Sequence, residues 1–162
     1  MITQQQLREH LHYSPDTGAF TRLVKTSNRS VVGSVSGGYG ANGYYRVSVL
    51  GRRYFAHRLA WFYMTGEWPK EIDHIKCIRD DNRFCNIRDA SRRENCVNTR
   101  VKASNTSGFK NVSFSRQKGK WMSRARIDGK RINLGLFETP EEAYEAWRKR
   151  AEPNDQEFFN PG

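Results

Sequence analysis

The chain has 162 residues, enough for one ordinary domain or two small ones, and its 28 Lys and Arg against 17 Asp and Glu leave a formal charge of +11, which makes polyanions its natural partners. With 36% hydrophobic residues and a mean hydropathy of −0.85, no run approaches the roughly 20 apolar residues that span a bilayer, so a membrane protein is excluded. Residues 1–13 lack the basic, apolar and small-residue succession of a signal peptide, and Cys77, Cys85 and Cys96 form no C-x-x-C pair, so a reducing, cytoplasmic setting is expected.

In chain order, Thr3 and Gln6 are spaced as a capping box, with Leu7 and Leu11 one turn apart, which predicts a short helix. Ser14 to Gly18 reads as a turn and Ala19 to Leu23 as a strand, and the Gly- and Ser-rich run from Ser30 to Gly43 reads as a long loop. Tyr44 to Leu50, a turn at Gly51, and Arg52 to Ala56 predict a hairpin. His57 to Thr65 has helical spacing with Gly66 as the stop. From Glu71 to Arg100 charge, Asn and isolated apolar residues dominate, the signature of a loop-rich functional segment, within which Ser91 and Glu94 start a second capped helix. Lys102 to Gly108 reads as a linker, which divides the chain into 1–102 and 103–162.

Beyond it, Lys110 to Ser115, Lys120 to Ile127 and Arg131 to Leu136 predict three antiparallel strands. Thr139, Pro140 and Glu142 then open a helix that presents Ala143, Ala146, Trp147 and Ala151 on one face and stops before Pro153. Residues 110–131 hold eight Lys or Arg against one acid, Asp128. Along the middle strand, alternation puts Trp121, Ser123, Ala125 and Ile127 on the packed face and Lys120, Met122, Arg124 and Arg126 on the outward one. A basic three-stranded face of this kind can enter a DNA major groove. An RNA-binding reading is weaker, because the basic strand lacks exposed aromatic stacking positions.

Asp73 to Asn98 concentrates the chemistry: Asp73-His74, Asp81-Asn82-Arg83, Asn86-Ile87-Arg88 and Glu94-Asn95, with His74 and Asn86 twelve apart and Asn86 and Asn95 nine apart. Together with the upstream HRLAW and TGEWP (His57 to Trp61, Thr65 to Pro69), these strings resemble the HNH nucleases, in particular the phage and intron-associated homing endonucleases, over roughly residues 44–100. The resemblance implies an α+β chain with a ββα-metal (HNH, His-Me finger) core over about 54–100, followed by the three-stranded sheet packed on one helix. It implies His74 as general base, Asn86 as a support for the loop and the base, and Asp73 with Asn95 as ligands of Mg²⁺ or Mn²⁺. The chemistry agrees: a neutral imidazole can take a proton from water near pH 7, and a hard cation takes few protein oxygens and leaves room for a phosphate. Asn95 stands where many relatives have a final His, and the loop Ile75 to Asp80 lacks their Asn-Gly turn.

His57 reads as structural, and Asp81 with Arg83 as an ion pair or phosphate contact rather than reactants. The three cysteines are too irregularly spaced for structural zinc and read as small buried hydrophobes. The C-terminal part, through SGFKNV (Ser107 to Val112), GKW (Gly119 to Trp121), GKRINLGLFETPEEAYEAW (Gly129 to Trp147) and FFNPG, resembles the apetala-two/ethylene-response-factor DNA-binding domain. That resemblance implies that Arg116, Lys118, Arg124, Arg126 and Asn133 face double-stranded DNA and that Trp121, Leu134, Phe137 and Trp147 are core; Lys120, Lys130 and Arg131 complete the expected basic face. The function implied is a metal-dependent DNA endonuclease, in role a free-standing phage homing endonuclease working in the host cytoplasm. The alternative is a sequence-specific DNA-binding regulator with an inactive HNH core.

Overall fold

A computed structural model of the protein describes residues 2–127 and 129–151. Asp128, Pro153 and the FFNPG string lie outside the described residues. The architecture is α+β: small antiparallel sheets and, among the described residues, four α-helices. The chain forms two compact units that part between Asn95 and Cys96. Among the described residues no helix is long and apolar enough to cross a membrane.

The first unit begins with α1 (Gln4–His10), started by the expected capping box: Thr3 Oγ1 accepts from the Gln6 amide and Gln6 Oε1 from the Thr3 amide. The helix is shorter than Leu7–Leu11 spacing suggests. Leu11 already lies in β1 (Leu11–Tyr13), which pairs with β2 (Phe20–Arg22) around the Ser14–Gly18 turn. Both leucines are buried all the same, so the pair reports burial rather than one helix face. The Gly-rich run contains a further short strand, β3 (Gly38–Tyr39), on the edge of a sheet ordered β3-β4-β5. Here β4 (Tyr45–Val49) and β5 (Arg52–Phe55) form the expected hairpin, with Val47 and Val49 on its buried side. α2 (Ala56–Thr65) follows and ends at Gly66, whose left-handed backbone (φ 80°) closes the helix.

β6 (Glu71–His74) and β7 (Ile87–Ala90) make a two-stranded antiparallel pair, with a 3-10 turn (Phe84–Asn86) just before β7 and α3 (Arg92–Val97) just after it. One core joins these elements: Leu7, Leu11, Tyr13, Phe20, Val47, Val49, Leu59, Phe62, Ile72 and Ile87 are all buried in it. The N-terminal turn supports the segment before β7. The Tyr13 hydroxyl donates to the Asn82 carbonyl (2.7 Å), and the Phe84 amide to the Pro15 carbonyl (3.0 Å). Gly18 permits this approach: a Cβ there would lie 2.6 Å from Arg83 N and from the Asn82 carbonyl carbon, at φ +73°. Gly18→Ala must therefore move backbone as well as adopt a strained φ. We expect it to lower stability by about 2 kcal/mol or more, read as a melting temperature several degrees below wild type.

In the second unit β8 (Val112–Ser115), β9 (Lys120–Ile127) and β10 (Lys130–Phe137) form an antiparallel sheet ordered β10-β9-β8, and α4 (Pro140–Ala151) packs on it. Ala125, Ile127, Trp147 and Ala151 are the buried cluster, flanked by Leu134 and Tyr144. Trp121 instead meets Phe114 edge-on (5.1 Å), and both it and Phe137 stay half-buried. The tract 102–108 is not bare spacer. Ser107 is buried, its Oγ donating to Asn105 Oδ1, while the Asn105 amide nitrogen donates to the Phe109 carbonyl, a local turn that leads into β8.

Candidate functional site

β6 places the two residues of the Asp-His pair on opposite sides, as strand alternation requires. Asp73 is cross-strand partner to Arg88. It is 3% exposed, and Arg88 Nε and Nη2 both donate to its Oδ2 at 2.9 and 2.7 Å. His74, 6% exposed, faces an aromatic group instead: its ring centre lies 4.8 Å from that of His57, edge-on, and 6.0 Å from that of Tyr44. Burial lowers the His74 pKa below its ordinary value, opposed by a side-chain hydrogen bond with Asn82 and by the charges of Asp73, Asp81 and Asp80. His57 is pushed down to about 3, chiefly by burial and then by His74 and Arg58, so it is a neutral ring at neutral pH.

α3 brings the third predicted residue to the same strand. Ser91 and Glu94 close a capping box: the Ser91 amide donates to Glu94 Oε2 and the Glu94 amide to Ser91 Oγ. One turn along, the Asn95 side-chain nitrogen donates to the Ile72 carbonyl (3.3 Å) and to Glu71 Oε2 (3.2 Å). Asn95 thus lies over β6 beside the residue that precedes Asp73, with its amide oxygen as the atom left to ligate. An anionic carboxylate and an amide oxygen are hard donors, and as a set they fit the divalent cation that the family resemblance implies. Among the described residues no group of three or more His, Cys, Asp and Glu could hold a metal. The cysteines depart from expectation: Cys77 is half-buried at φ 53° in a turn, and Cys85 and Cys96 are exposed on the 3-10 turn and on α3. Elements this short have too little covered surface to bury them.

Between His74 and β7 the loop is held by Asn86, 1% exposed. Its Oδ1 accepts from the Lys76 amide (3.0 Å), its Nδ2 donates to the Asp81 carbonyl (2.9 Å), and its own carbonyl accepts from the Ile75 amide (2.9 Å). Arg83 pairs with Asp81 through Nε (2.7 Å) and Nη2 (2.6 Å), which holds the Asp81 carboxyl below the usual range. That is the ion pair expected from sequence. Asn86→Ala would remove two side-chain hydrogen bonds that a buried residue makes to the part-buried backbone of Lys76 and Asp81. The expected cost is about 2 kcal/mol, with cleavage falling further than stability because the loop follows His74 directly. Thermal melting and cleavage rate measured on the same preparation check it.

Sequence reasoning gave Asn82 no role and took His57 as merely structural. His57 meets the His74 ring edge-on, and Asn82, also buried, acts on the proton affinity of that ring. The signal available was their place in the DNR and HRLAW strings.

The basic sheet of the second unit separates its charges by register. Arg131 pairs with Arg126 and Asn133 with Arg124, so these four share the outward face, and all are exposed. A bulge at Leu134 turns that residue to the helix side and brings Leu136 outward, opposite Met122. Gly135 (φ +131°) makes the bulge possible, and its amide donates to Asn133 Oδ1 (3.2 Å). Arg116 and Lys118 are exposed in the β8–β9 turn. Three expected charges are placed differently. Lys120 is ion-paired with Glu138, and Lys130 pairs with Ile127 and so begins on the helix side. Lys110 is buried ahead of β8, its Nζ 3.4 Å from the Val97 carbonyl.

Comparison with known proteins agrees with the motif strings. Residues 54–97 match the family described as HNH endonuclease. The chain is 31% identical over 102 residues to Protein 3.8 of Escherichia phage T7, a match that spans 62% of this chain and 84% of that one. It is also similar to a solved structure described as DNA binding and cleavage by the HNH homing endonuclease I-HmuI. There the identity is 21% and the TM-score 0.43, covering 84% of this chain and 76% of that one. The chain belongs to the HNH endonuclease family.

Proposed function

We propose that the protein is a divalent-metal-dependent DNA endonuclease whose β6, β7 and α3 act as a ββα-metal site and whose second unit is an apetala-two/ethylene-response-factor-type DNA-binding domain. The observation that carries this is the meeting on β6 of Asp73, His74 and the Asn95 amide, which hydrogen-bonds the Ile72 carbonyl beside them. His74, neutral at pH 7, takes the proton of a water attacking the scissile phosphate. Asp73 and Asn95 would hold Mg²⁺ or Mn²⁺, which when bound neutralises charge developing on the phosphate oxygens. Asn86 keeps the loop after His74 in place, and Arg124, Arg126, Arg131, Asn133, Arg116 and Lys118 hold the duplex. A phage-borne homing role in the host cytoplasm fits the T7 relative.

A second reading, a DNA-binding regulator with an inactive core, has one observation on its side: the Arg88 guanidinium already sits on Asp73 Oδ2. Incubating the protein with supercoiled plasmid and Mg²⁺ or Mn²⁺, with and without chelator, separates the two. Nicking or linearisation abolished by chelator is the expected result. Tight duplex binding with no cleavage in either metal would overturn it in favour of the regulator.

A further inference from the structure

The Gly-rich N-terminal run has no part in the site described above, yet it walls a cavity of about 430 Å³ lined by Tyr39, Gly40, Ala41, Asn42, Arg46 and Arg53. Every charged side chain in that lining is an arginine. We propose that this cavity seats a backbone phosphate of the DNA strand beside the point of cleavage, a second phosphate grip belonging to the nuclease unit itself. The inference rests on the reading of the chain as a DNA endonuclease.

Four observations lead there. First, Arg46 and Arg53 lie on the same face of the β4–β5 hairpin, because their cross-strand partners Phe55 and Ser48 do, opposite to buried Val47 and Val49. Second, neither arginine is in an ion pair among the described residues. The Arg46 guanidinium is pinned 4.6 Å over the Phe55 ring, with its Nε shielded from solvent and without a hydrogen-bond partner. A buried guanidinium donor with no acceptor is costly, and an anionic oxygen in the cavity would satisfy it. Third, the cavity is kept open beside that donor by the lack of a side chain. A Cβ on Gly40 would stand 3.3 Å from Arg46 Nε and 3.1 Å from Asn42 Oδ1.

Fourth, packed rings link the cavity wall to the predicted base. Phe55, under Arg46, stacks on His57 (5.5 Å), and His57 meets His74 (4.8 Å). On the rim, Arg79 donates to the Asn42 carbonyl (3.1 Å) and lies 5.3 Å over Tyr44, while Tyr39 donates to Asp80 Oδ2 (3.3 Å). The loop after His74 is therefore hydrogen-bonded to two residues that line the cavity. Two cations without a carboxylate partner among the described residues, beside the loop that follows the predicted base, complement a phosphodiester chain that reaches that base.

The test uses the full-length protein carrying His74→Ala, so that binding is measured without cutting, and a duplex titrated across salt concentrations. Arg46→Gln with Arg53→Gln is expected to flatten the slope of log affinity against log salt by about 0.9, the share of the one phosphate no longer neutralised. In otherwise wild-type protein the same pair should raise the KM for plasmid cleavage. Gly40→Leu keeps both charges and plugs the cavity, so a comparable loss of affinity is expected from it, which guards against a folding defect in the double variant. An unchanged slope in a double variant that melts like wild type overturns the proposal. So does inorganic phosphate that, at constant ionic strength, fills the cavity without displacing DNA. Wild-type protein that neither binds nor cuts duplex DNA would instead sink the endonuclease reading itself.

Discussion

His74→Ala is expected to slow plasmid cleavage by roughly 100-fold or more while duplex affinity stays near wild type, since a positioned general base typically contributes that much to a proton transfer. The substitution removes a ring that touches His57 and Tyr44 but lies on the opposite side of β6 from the Asp73–Arg88 pair, so that pair should survive it. The pH profile sharpens the expectation. Burial lowers the His74 pKa, so the neutral, proton-accepting form persists below the ordinary 6.5. Cleavage limited by His74 should thus decline on the acid side with its midpoint below 6.5 rather than at it. Conversely, His74→Ala should flatten that acid limb. A variant that cuts at an undiminished rate, or that keeps the limb, removes His74 from the reaction.

Much of this site was legible because its signals are local. Capping boxes at Thr3–Gln6 and Ser91–Glu94, the Gly66 stop and the hairpin turn at Gly51 each act within a few residues, and the structure reproduces all of them. What sequence did not show depends on register and topology. Asp73 and Arg88 are fifteen residues apart and meet only because β6 and β7 pair in one register. His57 reaches His74 because α2 lies between the hairpin and β6 in a shared core, a fact without a sequence period. The bulge at Leu134 likewise breaks strict alternation, so Asn133 and Leu136 share a face that counting by twos would split. Short strands such as β1 and β3 carry too few residues for alternation to register at all.

Asp73 is the residue where stability and activity are most closely joined, and its substitutions should separate the two. Asp73→Ala leaves the Arg88 side chain, 12% exposed, without its carboxylate. Removing one partner of a buried ion pair costs about 3–5 kcal/mol, so melting should fall by roughly 6 °C or more and activity should vanish with it. Asp73→Asn is the informative change. It keeps the size and one oxygen acceptor for Arg88 but withdraws the negative charge that would hold the cation, so a folded protein should require a higher Mg²⁺ concentration to reach the same cleavage rate. Arg88→Met tests the opposite possibility from the other side of the pair: if the guanidinium competes with the cation for Asp73 Oδ2, removing it should lower the Mg²⁺ requirement of whatever protein remains folded. An Asp73→Asn protein that melts, binds DNA and cuts at wild-type Mg²⁺ concentration would show that the carboxylate serves Arg88 alone, and the metal would have to be held elsewhere.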